Sequence, residues 1–196
     1  MLQIRIHGRG GQGVVTAAEL LSVAAFEQGR HAQAFPSFGS ERTGAPVVAF
    51  CRIDDSAIRL REPILAPDVL IVQDPTLLHQ VDVFQGLRPD GYVLINSKRS
   101  FDELGLADIE QRFRRERLMT VPATEIALKH LGRPLPNAVL LGGFAALSGL
   151  VTLGAVADAI RDKFGGKVAE GNVAAATEAY EYVKTGMQEL AHAQAN

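Results

Sequence analysis

Apolar and polar positions alternate at the start of the chain, where Ile4 and Ile6 are interleaved with Arg5 and His7. That two-residue period predicts a strand over Leu2–His7. Four glycines within six residues follow, and Val14 to Ala25 then reads as a long apolar helix. The helix is expected to start at Gly11 or Gln12 and to reach about Gln28. Its buried face would hold Ala17, Ala18, Leu20, Leu21, Ala24, Ala25 and Phe26, with Gly29 as its stop.

His31 to Phe35 is a plausible second strand, ended by Pro36. Pro46–Ile53 and Ala57–Leu60 alternate like a hairpin around Asp54-Asp55-Ser56, which would make the sheet mixed. Pro67 to Asp74 is an apolar run with a polar end, the signature of a buried parallel strand. Asp74 is placed to cap a short helix opened by Pro75 and Thr76. Tyr92–Asn96 and Leu118–Val121 are further short strands, and the polar Ser97–Ser100 follows the first where such strands present binding groups. Asp108 to Arg117 reads as an exposed helix of mixed charge. Helical spacing dominates the rest, over Pro122–Leu131, Asn137–Gly149, Leu153–Phe164 and Val168 to about Ala193. The expected fold is a three-layer α/β/α sandwich on a mostly parallel, mixed, Rossmann-like sheet, with a helical C-terminal part. Residues 1–190 would form a single domain, and 191–196 a tail.

Composition narrows the picture. Hydrophobic residues at 47%, charged residues at 21% and a net charge of −2 describe an ordinary globular chain. They give no general case for nucleic acid or an anionic membrane, and with aromatics at 6% and no tryptophan a base-stacking surface is not expected. No signal-peptide pattern opens the chain, and the run nearest to a membrane span, Ala138–Leu153, is short and broken by glycines. A single cysteine, Cys51, excludes an intrachain disulfide and a cysteine-built metal or iron–sulfur site. A reducing cytoplasmic compartment is expected, with Cys51 as a buried small hydrophobe.

The candidate chemistry gathers at the glycines. Gly8, Gly10 and Gly13 match G-x-G-x-x-G between a strand and a helix, where unpaired N–H groups and a helix dipole suit an anion. Arg9 offers a fork of donors and Gln12 a polar group near the helix start. Close packing of helix on strand explains the glycines equally well. An NAD site would place Asp or Glu at the end of the second strand, but Gln33, Ala34, Phe35 and Pro36 stand there. A Walker lysine, a serine-nucleophile elbow and a His-Glu-x-x-His helix are all absent. Among the five histidines only His7, beside the glycines, is well placed for a site, and a structural or hydrogen-bonding role is expected there ahead of acid–base work. Ser37 to Ala45 is a polar loop between apolar strands, either a solvated turn or a functional loop.

Two stretches decide between these readings. Ile6 to Gly13, followed by Phe35-Pro36-Ser37-Phe38-Gly39-Ser40-Glu41-Arg42-Thr43-Gly44-Ala45-Pro46, resembles the gamma subunit of the 2-oxoacid:ferredoxin oxidoreductases, of which pyruvate synthase is the best-known member. Gly132–Asn137 and Lys163–Lys167 carry the resemblance further, and it covers the chain from about residue 3 to 185.

The resemblance implies an accessory subunit of a complex that oxidatively decarboxylates a 2-oxoacid to an acyl-CoA. Pyruvate is the default substrate, with 2-oxoglutarate, branched-chain or aromatic 2-oxoacids as alternatives. Thiamine diphosphate and [4Fe-4S] clusters would reside in thiamine-binding and ferredoxin-like partner subunits. Coenzyme A would be the co-substrate, and ferredoxin, or NAD through an added subunit, the acceptor. The candidate cofactor-binding or subunit-facing residues are Gly8, Arg9, Gly10, Gly11, Gln12, Gly13, Ser37, Gly39, Glu41, Arg42, Gly44 and Asn137. Arg9 and Arg42 would meet coenzyme A phosphates or a carboxylate, and Glu41 would pair with an arginine. Asn137 would cap a helix or, alternatively, touch a ligand or partner. The competing functions are a free-standing nucleotide sensor and, behind it, an NAD-dependent dehydrogenase.

Overall fold

A computed structural model describes residues 1–37 and 43–195. The chain forms β1 (Leu2–Arg9), α1 (Val14–Glu27), β2 (His31–Pro36), β3 (Pro46–Asp54), β4 (Val69–Val72) and β5 (Tyr92–Asn96). It continues through α2 (Ala107–Arg112), β6 (Leu118–Val121), α3 (Ala123–Leu131), α4 (Asn137–Ser148), α5 (Leu153–Lys163) and α6 (Gly166–Gln194). The six strands make one mixed sheet in the order β2-β3-β1-β4-β5-β6. β1, β4, β5 and β6 run parallel, while β3 is antiparallel to both β1 and β2. The α/β fold with a mostly parallel, mixed sheet is as the sequence pattern predicts.

Burial on both faces explains the continuous apolar runs of β4 and β5. Ile4, Ile6, Val69, Ile71 and Leu94 join the core under α1, α4 and α6. Leu70, Val72, Val93 and Ile95 face the other way, onto Leu77, Val83, Phe101 and Phe113. Short turns between residues 75 and 117, rather than long helices, supply that second layer. α4 is buried from Asn137 through Ala145 because it is covered by the sheet and by α6. A Cβ at Gly142 would lie 1.9 Å from the Ala176 carbonyl oxygen, so only glycine lets α4 and α6 approach this closely.

Four expectations change. The hairpin lies between β2 and β3, not between β3 and Ala57–Leu60. β3 already has β1 on one side and β2 on the other, which leaves no free edge for a following strand. The chain turns onto the second face instead, where buried Arg5 and Arg52 donate to the carbonyls of Ile64 and Glu62. α1 begins at Val14, because Gly11 and Gly13 take left-handed φ values of 89° and 69°. Phe26 is 70% exposed, since the buried stripe through Ala17, Ala18, Leu21, Ala24 and Ala25 leaves position 26 off its face. The single helix expected over Asp108–Arg117 stops at Arg112, where Phe113 turns into the second core. At the other end of the chain, α6 continues as helix to Gln194, with residues 191–195 exposed.

Candidate functional site

The parallel strands β1, β4, β5 and β6 present their carboxyl ends along one edge of the sheet. From β1 the chain first builds β2 and β3 on one side and then crosses to β4 on the other. Open α/β sheets bind ligands in the crevice outside such a switch point. The glycine loop at the end of β1 and Gln73-Asp74 at the end of β4 form its two walls.

Close packing accounts for two of the glycines. A Cβ at Gly8 would lie 2.5 Å from Val14 Cγ2, and one at Gly13 would lie 2.4 Å from Asn137 Nδ2. Gly11 differs: the nearest atom to a Cβ there is Thr43 Cγ2 at 3.9 Å, and the residue faces open grooves. Packing therefore fixes the two ends of the loop, and its middle is presented outward.

Arg9 is committed within the chain. Its Nε donates to Asp74 Oδ2 at 3.1 Å and to Thr76 Oγ1 at 3.3 Å, its Nη1 to the Gly44 carbonyl at 3.0 Å, and its Nη2 to Thr76 Oγ1 and Gln80 Oε1. The fork expected to meet a phosphate or carboxylate thus clamps the end of the Ser37–Ala45 loop onto the carboxyl end of β4. Gln12 adds to the clamp, its Oε1 accepting the Arg9 N–H and its Nε2 donating to Asp74, each at 2.8 Å. Burial pushes the Asp74 carboxyl up, but the Thr76 hydroxyl, the Gln12 amide, the Thr76 N–H and Arg9 outweigh it and hold the group below the usual carboxylate range.

Gly44 (φ 82°) donates its N–H to the Gly10 carbonyl at 3.0 Å, and Gly10 donates to Ala45 at 2.9 Å, so the two loops are stitched backbone to backbone. Ser37 is exposed and borders a groove of about 560 Å³ shared with Arg9, Gly10, Gly11 and Thr16. Gly39, Glu41 and Arg42 lie outside the described residues. Asn137 is the first residue of α4 rather than its cap, because Pro136 takes the cap position and no side chain caps the helix. Its amide reaches back to the Gly13 carbonyl at 3.4 Å.

Several site residues lacked a motif. Gln73 donates to the Gln12 carbonyl at 2.9 Å, and Asn96 bridges the Gln73 carbonyl to Thr124 with two bonds of 2.8 Å. Their signal in the sequence is position alone, a polar residue directly ending each apolar parallel run. Asp74 does cap the Pro75 turn through the Thr76 N–H at 2.9 Å, as expected, and carries the clamp as well. Ser97–Ser100 closes its own turn with Glu103.

Among the described residues, His7 and Cys51 are held in their neutral forms. His7 is buried, and burial together with Arg5 lowers its pKa to about 3, so the ring is neutral. Cys51 is fully buried with its thiol pushed up to about 12. Among the described residues no group of three or more His, Cys, Asp and Glu side chains is placed to hold a metal ion.

Fold and site together define an α/β protein with a glycine-lined crevice at a topological switch point. The family model of pyruvate ferredoxin/flavodoxin oxidoreductase matches residues 3–182, and the chain belongs to that family. It is 48% identical over 184 residues to the pyruvate synthase subunit PorC of Methanothermobacter thermautotrophicus, covering 94% of this chain and 97% of that one. The common gamma subunit of the pyruvate and ketoisovalerate oxidoreductases of Pyrococcus furiosus is 48% identical over 190 residues, 97% of this chain and 100% of its own. The crystal structure of the pyruvate oxidoreductase subunit PORC of Thermotoga maritima superimposes with a TM-score of 0.77 at 36% identity, covering 92% of this chain and 95% of that one.

Proposed function

We propose that this chain is the gamma subunit of a thiamine-dependent 2-oxoacid:acceptor oxidoreductase that converts a 2-oxoacid, pyruvate by default, to an acyl-CoA. The observation that carries the reading is near-half identity to gamma-type subunits along almost the whole of both chains. The nucleotide-sensor alternative finds no support among these relatives.

Partner subunits of the thiamine-binding and ferredoxin-like kinds supply the redox chemistry in this reading. Four thiolates hold a [4Fe-4S] cluster, and this chain has one cysteine, sealed in the core. The residues present do not fit a cluster. Thiamine diphosphate and the clusters are assigned to the partners, with ferredoxin, or NAD through an added subunit, as acceptor.

The chain's own contribution is the edge formed by the glycine loop with Ser37 and Thr43–Ala45. Coenzyme A meets this edge, with Gly10, Gly11 and Ser37 turned toward it and Arg9 holding the two loops in register. The complex operates in the cytoplasm; among the described residues no helix is long and apolar enough to cross a membrane. Purification of the chain from its native source tests the assembly: it should emerge with larger, brown, iron-containing subunits. Recovery as a colourless single chain with its own nucleotide affinity would overturn the reading.

A further inference from the structure

The two faces of the sheet are covered unequally. Helices α1, α4 and α6 pack on one face, whereas an irregular strap, residues 55–66, crosses the other over β1 and β3. The second half of the strap is held from several sides. Arg52 Nη2 donates to the Glu62 carbonyl at 2.5 Å, and Arg5 Nη1 donates to the Ile64 carbonyl at 3.4 Å. The turn at Gly86 presses on it so closely that a Cβ there would lie 1.9 Å from the Leu65 carbonyl oxygen. Arg88 then donates its N–H to the Pro67 carbonyl at 3.1 Å.

This anchored backbone turns apolar side chains outward. Leu65 is 78% exposed, more than any other large hydrophobic among the described residues, and Leu60 is 45% exposed. An isolated exposed leucine is ordinary. A leucine on a backbone already fixed from both sides is different, because little further ordering is needed when a partner covers it. The alternation of Ala57–Leu60 is also without a use inside this chain. Residues 57–61 pair with no strand and make no backbone hydrogen bond among the described residues.

Charge gives the surface a sign. Arg59 and Arg61 are exposed and form no ion pair among the described residues, and Glu62 is the one acid between residues 57 and 66. Beneath the strap Arg5 and Arg52 are 8% and 2% exposed and bond only carbonyl and amide oxygens. Asp82 and Glu62 oppose these two guanidinium groups through space, without an ion-pair contact. Four arginines therefore leave a positive field over an apolar patch, which favours carboxylates on whatever covers it.

We propose that the strap is a docking surface for another subunit of the oxidoreductase, one that offers an apolar pocket to Leu65 and carboxylates to Arg59 and Arg61. A second copy of this chain is the poorer occupant, since a twofold pairing of like patches sets arginines against arginines. The strap leads into the amino end of β4, whereas the glycine loop follows the carboxyl end of β1, so the two surfaces lie at opposite ends of the parallel strands. The inference rests on the multi-subunit assembly proposed above.

The test is binding of the full chain to the iron-containing partner subunits, isolated free of it. Wild type is compared with an Arg59→Glu/Arg61→Glu variant and with Leu65→Asp. All three side chains are exposed, and an unchanged Tm of the free chain confirms that each variant is folded. Each variant should weaken assembly by about tenfold or more. Added salt should weaken wild type more than the charge-reversed variant. Glu181→Lys, an exposed charge reversal on α6, should assemble as wild type does. Wild-type affinity in either strap variant overturns the proposal and leaves the subunit reading intact, whereas a wild-type chain that binds no partner overturns both. A free chain that is dimeric, and that the strap variants render monomeric, identifies a second copy as the occupant and overturns the assignment.

Discussion

Arg9 and Asp74 meet at 3.1 Å across the carboxyl ends of β1 and β4, 65 residues apart in sequence. The same guanidinium holds the Gly44 carbonyl, so one ion pair joins the glycine loop, the Ser37–Ala45 loop and the turn after β4.

Removing the acid should loosen this edge. Asp74→Ala leaves donors of Arg9, Gln12 and Thr76 without their acceptor. A cost of about 1–3 kcal/mol in unfolding free energy is expected, read by urea denaturation. In the assembled complex Arg9→Ala should raise KM for coenzyme A by about tenfold, the loss of roughly 1.4 kcal/mol, while KM for the 2-oxoacid stays constant. A KM for coenzyme A equal to wild type would remove the loops from that cofactor's site.

Gly13 faces two separable penalties when a side chain is added. Gly13→Ala must adopt φ 69° and also push its Cβ against Asn137 Nδ2 at 2.4 Å. Adding Asn137→Ala relieves the collision but not the left-handed backbone. The double variant should therefore regain part of the lost Tm, retaining a deficit of about 1–2 kcal/mol. Purely additive losses would show that the two residues do not press on each other.

His7 sets an acid-side limit on stability. Its folded-state pKa is about 3 against an ordinary 6.5, with burial the larger cause and Arg5 the second. The unfolded chain takes up the proton first, so this contribution is complete above pH 6.5 and is lost as pH falls from there toward 3. Between pH 7 and 5 the unfolding free energy of wild type should drop by about 2 kcal/mol more than that of His7→Gln. Parallel pH dependences of the two proteins would contradict a neutral buried imidazole.

Cys51 should be silent until the chain unfolds. Its thiol is fully buried and its pKa is raised to about 12, which leaves almost no thiolate. A thiol reagent at pH 8 should label one group in urea and none in the folded protein. Labelling of the folded chain at the rate of a free thiol would place Cys51 outside the core.

The sequence made the scaffold legible where a single periodicity ruled. Val69–Val72 and Tyr92–Asn96 are buried on both sides, and their unbroken apolar runs say so. Ala57–Leu60 misleads because its alternation is real but both edges of β3 are taken, a fact of tertiary pairing that no local pattern carries. Phe113 misleads in the same way, since the core that draws it out of the helix is built from distant residues such as Leu70 and Val93. The glycine loop announced itself by motif. Its partners Gln73, Asp74 and Asn96 did not, because they belong to the site only through the adjacency of β1, β4 and β5. Arg9 shows the remaining difference: its chemistry suited a ligand phosphate, and the fold spends it on Asp74, Thr76, Gln80 and Gly44.

The central claim is that this chain is a necessary subunit of a 2-oxoacid oxidoreductase. Reconstitution tests it most directly: pyruvate-dependent reduction of an electron acceptor, with acetyl-CoA formation, measured on the partner subunits with and without the chain. Activity should appear only when the chain is added and should be lost again when it is withheld. Full acetyl-CoA formation by the partner subunits alone would contradict the claim.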